Sequence, residues 1–152
     1  MKYPLWKTLL KYLTIASVIS LIWQLIAGKE YRYAFPFPVI LGMNSYTLVI
    51  WALGLVAVMI IYDYIEYKFK LDTEAKKIIT FLLFYWIALI IVETIAVHVF
   101  NFRDLATIQY KGLPICDCIH AKWWMKIVYF CMGPLMYTVT RLFKVKNVWE
   151  RK

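Results

Sequence analysis

The sequence has few charged residues for its length. Asp, Glu, Lys and Arg make up 18% of its 152 residues, whereas about a quarter is usual in a soluble domain. There are only three cysteines, too few for a disulfide framework. We find no glycine-rich nucleotide-binding loop, no Ser-His-Asp arrangement and no internal repeat. The sequence therefore gives no support for a nucleotide-hydrolysing enzyme, a serine hydrolase or a disulfide-scaffolded secreted domain.

Apolar residues are abundant instead, at 63% of the chain, with a mean hydropathy of +0.64. They occur in long runs, and a helix of 18 or more apolar residues can cross ~30 Å of hydrocarbon. We predict four spans, at about residues 9–27, 39–65, 78–100 and 123–142. The predicted fold is an all-α integral membrane four-helix bundle, with residues 1–152 forming one transmembrane domain.

The net charge of +9 is spread along the chain in a way that favours a membrane. Lys and Arg flank the apolar runs and form no single basic face, so we expect contacts with membrane lipids and no nucleic acid. Twelve of the 18 basic residues lie on one side of the predicted bundle: Lys2, Lys7, Lys11, Lys68, Lys70, Lys76, Lys77, Arg141, Lys144, Lys146, Arg151 and Lys152. Six lie on the other side: Lys29, Arg32, Arg103, Lys111, Lys122 and Lys126. The positive-inside rule places the larger set in the cytoplasm. We therefore predict an N-in/C-in protein of a cytoplasmic-type membrane, with an ordered extracytoplasmic loop between the third and fourth spans.

Five polar residues fall in the outer half of the predicted spans: Gln24, Asn44, Glu93, His98 and Cys131. Polar groups in hydrocarbon are costly unless they have partners, so they tend to face the bundle interior or a wet cavity. The five predict a polar pocket that opens to the outside. For Gln24 and Asn44, ordinary hydrogen bonds between helices are the alternative. At the inner end, Asp63 and Glu66 are expected to pair with lysines of the nearby loop in a solvated interface.

Glu93 and His98 are the candidate catalytic residues. An ionisable residue inside a span is a functional hypothesis by default, although a Glu neutralised by protonation can also be purely structural. The two residues are five positions apart, which is about 140° around a helix. We therefore expect each of them to find its partner on another helix or in the long loop.

The loop between the third and fourth spans contains Cys116, Cys118 and His120. In an extended segment these alternating residues project on one side. Two thiols and an imidazole can ligate zinc or copper, and Asp104, His98 or Glu93 can complete the ligand shell. The spacing is, however, not the C-x₂-C pair of zinc sites.

Two alternatives for the cysteines stay open. A Cys-x-Cys disulfide closes a very small ring, so it would be strained and easily reduced, which suits electron exchange. The four-helix membrane thiol oxidoreductases carry a Cys-x-x-Cys pair and usually a second cysteine pair, and this chain has neither. The other alternative is a structural disulfide, or free thiols, in an ordered loop.

Three function classes follow from these residues. The first is a membrane protein with an outer-leaflet polar and thiol site, which binds a metal or acts as an enzyme on a lipid-like substrate. The second is a non-catalytic subunit of a larger membrane complex or homo-oligomer. The third is thiol–disulfide exchange. The sequence leaves open whether the protein is an enzyme.

Overall fold

The computed structural model describes residues 5–30, 39–40, 43–100 and 109–149. Its four α-helices are α1 (Leu5–Ala27), α2 (Ser45–Phe69), α3 (Glu74–His98) and α4 (Trp123–Leu142). Gly28–Glu30 forms a 3₁₀ turn after α1. Two short antiparallel strands, β1 (Val39–Ile40) and β2 (Met43–Asn44), precede α2. The predicted all-helical architecture is confirmed for these residues.

Three of the helices, α1, α2 and α3, are long and apolar enough to cross a membrane. Their outward faces expose large apolar side chains such as Leu25, Ile79 and Val92, as expected of surfaces that meet lipid. α4 has the length of a span but is less apolar, since it includes Lys126 and Arg141. The described helices are therefore those of a membrane protein, while the fourth crossing and the orientation stay predictions.

The helix boundaries follow from local capping. α2 begins at Ser45 and not at residue 39, because the Asn44 side chain accepts a hydrogen bond from the Thr47 backbone N–H (3.2 Å). A residue that caps in this way satisfies one of the unpaired donors at a helix start. Thr73 caps α3 in the same manner, through the Lys76 N–H. Lys70 ends α2 in the left-handed conformation, with a φ of 48°.

α4 packs against each of the other three helices, and α1 packs most extensively against α2. The Tyr85 hydroxyl on α3 donates a hydrogen bond to the Tyr129 carbonyl oxygen on α4 (2.5 Å), and the Trp86 indole N–H donates to the Phe130 carbonyl oxygen (3.1 Å). Gly133 allows this close approach, since a Cβ at that position would lie 2.4 Å from the Tyr85 ring. These contacts fix the register between α3 and α4.

Candidate functional site

The segment before α4 folds into a tight turn that is held by its own backbone. The Leu113 N–H donates to the Cys118 carbonyl oxygen (2.8 Å), and the Asp117 N–H donates to the Leu113 carbonyl oxygen (2.8 Å). Asp117 and Ile119 adopt left-handed backbone conformations, with φ of 44° and 53°. Gly112 passes so close to this turn that a Cβ there would lie 2.7 Å from the Asp117 backbone carbon. Residues 112–118 therefore form a compact turn with its own backbone hydrogen bonds.

Cys116 and Cys118 are joined by a disulfide bond within this turn. Their surroundings differ: the Cys118 residue is 0% exposed, whereas Cys116 is only partly buried. The Cys118 sulfur is therefore enclosed, and whatever surface the bonded pair exposes belongs to the Cys116 residue.

The described residues do not form the predicted zinc or copper site. Cysteine ligates metals as the thiolate, and the disulfide leaves neither Cys116 nor Cys118 in that form. No group of three or more His, Cys, Asp or Glu side chains within the described residues could hold a metal ion. Asp104, the fourth predicted ligand, lies outside the described residues.

His120 and His98 both hold the turn through backbone carbonyl oxygens. The His120 Nδ1 lies 2.8 Å from the Tyr110 carbonyl oxygen, and its Nε2 lies 2.9 Å from the Asp117 carbonyl oxygen. The His98 Nε2 lies 2.9 Å from the Cys116 carbonyl oxygen. The turn thus brings together the two cysteines and both histidines of the chain. We call this group, His98, Cys116, Cys118 and His120, the disulfide loop site.

Ionic contacts attach this region to the helices on either side of it. The Lys122 Nζ contacts a Glu30 carboxylate oxygen at 2.7 Å, and this hydrogen bond raises the pKa of the Lys122 ammonium group. The Lys126 Nζ donates to the Lys111 carbonyl oxygen (2.5 Å). The turn after α1, the loop and the start of α4 are therefore held together at one end of the bundle.

Glu93 is not part of the disulfide loop site. It lies on the inward stripe of α3, where Phe81, Tyr85, Leu89 and Val97 are buried at intervals of four or eight residues. It is partly buried and makes no hydrogen bond or ion pair with the residues that the structure describes. His98, in contrast, contacts the loop through the Cys116 carbonyl oxygen. The two predicted catalytic residues therefore do not share a contact.

The other members of the predicted pocket have different environments. Asn44 caps α2, and Cys131 is exposed on α4. Gln24 is 2% exposed, and neither of its amide atoms has a hydrogen-bond partner within the described residues. The five residues therefore do not all line one cavity.

A polar cluster at the opposite end of the bundle was not expected from the sequence. The Asp63 residue on α2 is 0% exposed. Its Oδ2 accepts hydrogen bonds from the Tyr12 hydroxyl (2.6 Å) and the Val148 backbone N–H (2.8 Å). The Asn147 side-chain amide donates to the Asp63 carbonyl oxygen (3.0 Å). This carboxylate therefore ties α1 and the segment after α4 to α2.

Glu66, one turn further along α2, does pair with a lysine as expected. Lys77 on α3 lies 3.3 Å from one carboxylate oxygen, and Arg141 on α4 forms an ion pair with the other. The expectation was wrong for Asp63, which is buried and makes no ion pair with any residue that the structure describes. The sequence did contain a signal for the inward position of Tyr12, the α1 partner of Asp63. The inward face of α1 is marked by polar residues spaced at multiples of four: Thr8, Tyr12, Ser20 and Gln24.

No protein-family model matches the chain, and no curated protein or solved structure is significantly similar to it.

Proposed function

We propose that the chain crosses the membrane four times with both termini in the cytoplasm, so that the disulfide loop site faces outward. Two observations support this topology. α4 packs against all three apolar helices, which suits a helix surrounded by other spans. In the predicted arrangement of four spans, twelve of the 18 Lys and Arg residues fall on the side opposite to the loop, as the positive-inside rule requires of the cytoplasmic side.

Within this topology, we propose that the protein exchanges disulfides with extracytoplasmic thiol-bearing molecules. The observation that carries this proposal is the unequal burial of the bonded pair Cys116 and Cys118. In thiol–disulfide exchange, the outcome depends on which sulfur is attacked and on its accessibility. An incoming thiolate can reach Cys116 and not Cys118, so the direction of attack is defined.

The loop supports a purely structural role for the disulfide less well than it supports a role in exchange. In the chain-entropy account, a three-residue ring contributes roughly half of the ~3 kcal/mol expected for a 15-residue ring. The turn also has backbone hydrogen bonds that span the same residues, including that from Leu113 N–H to the Cys118 carbonyl oxygen. In this proposal the backbone hydrogen bonds hold the turn while the disulfide opens and closes.

The proposed exchange moves two electrons and needs a substrate with two thiols. A substrate thiolate bonds to the Cys116 sulfur and breaks the Cys116–Cys118 bond, and the released Cys118 thiolate takes up a proton. The second substrate thiol then attacks the mixed disulfide, so the substrate becomes a disulfide and both cysteines end as thiols. The substrate is oxidised and the pair is reduced, and the reverse sequence reduces a substrate disulfide.

His120 holds the turn that carries Cys118. Its Nδ1 and Nε2 lie 2.8 and 2.9 Å from the Tyr110 and Asp117 carbonyl oxygens, and the Asp117 carboxylate lies 3.5 Å from Nε2. We assign His120 a positioning role, since it contacts the backbone on the N-terminal side of Cys118.

Single cysteine substitutions test this function. In a Cys131→Ser background, we expect Cys118→Ser to leave a Cys116 thiol that forms a mixed disulfide with oxidised glutathione. The matched variant Cys116→Ser leaves the buried Cys118 thiol, which should react at least about tenfold more slowly because access controls the rate. Alkylation of quenched samples, followed by mass spectrometry, measures both rates.

The second measurement uses the wild-type protein, in which both Cys116 and Cys118 are present. The Cys116–Cys118 bond should open and close reversibly in glutathione buffers, in folded protein in detergent. Equal rates for the two single variants, or a bond that stays closed in buffers that reduce exposed disulfides, would contradict the proposal and leave the structural role.

A further inference from the structure

Exposed side chains on one face of α2 change from apolar to aromatic to basic toward the end of the helix. Ile61 and Tyr64 are 50% and 43% exposed, and Lys68 is exposed as well. Their spacing of three and four residues places them on one face. The Lys68 ammonium group lies 5.7 Å from the centroid of the Tyr64 ring. We propose that Tyr64, Lys68 and Trp149 bind the headgroup of an anionic phospholipid at the membrane surface.

The segment after α4 supplies the other side of this surface. Trp149 packs on Tyr64, with ring centroids 5.4 Å apart, and its indole N–H donates to the Ile60 carbonyl oxygen (3.2 Å). The preceding residue, Val148, is held by its hydrogen bond to the Asp63 carboxylate. Two aromatic rings and an ammonium group are therefore fixed side by side. We call these three side chains, Tyr64, Lys68 and Trp149, the headgroup surface.

Positive charge at this end of the bundle is not neutralised within the described residues. Three exposed lysines have no carboxylate partner in that part of the chain: Lys68, Lys70 and Lys144. The acidic side chains described at this end are each buried or paired with another cation: Asp63, Glu66, Asp72 and Glu74. Lysines close to a membrane surface attract anionic lipids. The uncompensated charge therefore selects an anionic ligand.

The position of the headgroup surface favours a lipid over a soluble anion. The same face of α2 continues away from Lys68 with exposed apolar residues: Ile50, Leu53, Ala57 and Ile61. At 1.5 Å per residue, Ile61 lies about 10 Å from Lys68 along the helix. Acyl chains can therefore lie on the apolar residues while the phosphate reaches the ammonium group, with Tyr64 and Trp149 at the interfacial depth that these residue types favour. The proposal is independent of thiol–disulfide exchange.

Native mass spectrometry of the whole protein in detergent tests this site. The protein is titrated with phosphatidylglycerol and with phosphatidylcholine that carries the same acyl chains, and we expect phosphatidylglycerol to bind more tightly. Lys68→Gln should weaken its binding about fivefold, equivalent to the ~1 kcal/mol that one basic residue contributes near an anionic surface. The matched control Lys76→Gln removes the same charge from the same end of the bundle, but from a lysine paired with Asp72 (2.8 Å). It should leave the affinity unchanged.

Three outcomes would overturn the proposal. Equal affinity for the two lipids would show that the charge of the headgroup is not recognised. Equal losses in Lys68→Gln and Lys76→Gln would show an effect of net charge without a localised site. Competition by glycerol 3-phosphate at the same concentration as the lipid would show that the ligand is a soluble anion. Tyr64→Leu gives a second test of the location, since it removes the ring beneath Lys68 and should also weaken phosphatidylglycerol binding.

Discussion

Replacing Asp63 with leucine should lower the free energy of unfolding by about 3 kcal/mol or more. The substitution removes the acceptor of two buried donors, the Tyr12 hydroxyl and the Val148 backbone N–H. Each buried donor left without a partner costs about 1–3 kcal/mol. Denaturation of the protein in mixed micelles, followed by tryptophan fluorescence, measures the change.

Asp63→Asn is the matched control for this prediction. The Oδ1 atom of Asp63 has no hydrogen-bond partner among the described residues, and both donors share Oδ2. An asparagine can therefore keep the acceptor oxygen in place and put its amide nitrogen at the unpaired position. We expect it to lie within about 1 kcal/mol of the wild type, since the hydrogen bonds persist. Equal losses in the two variants would show that the negative charge, and not the acceptor, holds this end of the bundle.

The second large effect is expected at Gly133. An added Cβ there would lie 2.4 Å from the Tyr85 ring carbons, and the ring cannot swing aside easily because its hydroxyl is bonded to the Tyr129 carbonyl oxygen. Gly133→Ala should therefore separate α3 from α4 and cost about 2–3 kcal/mol of stability. The same micelle denaturation detects the loss.

Gly54 offers a comparison that isolates the packing effect. It is also a helical glycine, but a Cβ there would meet nothing within 4 Å. Gly54→Ala should leave stability unchanged or raise it by roughly 0.5–1 kcal/mol, because alanine loses less backbone entropy in a helix. If Gly133→Ala were equally harmless, the α3–α4 contact would have to be looser than its geometry indicates.

The helices could be predicted from the sequence because hydropathy acts locally. The predicted fourth span, residues 123–142, coincides with α4, and the first predicted span lies inside α1. The start of α2 was predicted too early, since the apolar run continues through Val39 and Ile40 although these residues pair as a strand with Met43 and Asn44. Hydropathy reports burial and does not distinguish a strand from a helix over so few residues.

The candidate site could be predicted only in part, because its contacts join residues that are far apart in the sequence. The alternation of Cys116, Cys118 and His120 predicted an extended segment with metal ligands on one side, whereas the structure has a tight turn with left-handed residues at Asp117 and Ile119 and a disulfide between the two cysteines. The sequence did not identify Asp63 as a junction. The four-residue spacing on α1 marks Tyr12 as inward-facing but does not identify its partner, because Tyr12 and Val148 lie 51 and 85 residues from Asp63.

The Asp63 junction also has a consequence for the order in which the protein is made. Tyr12 is synthesised before Asp63, so one hydrogen-bond partner is present when α2 enters the membrane. Val148 follows 85 residues later, after α3 and α4 have been translated. Until then only one of the two hydrogen bonds to the Asp63 Oδ2 can form. This end of the bundle can therefore be completed only after the segment after α4 has been synthesised.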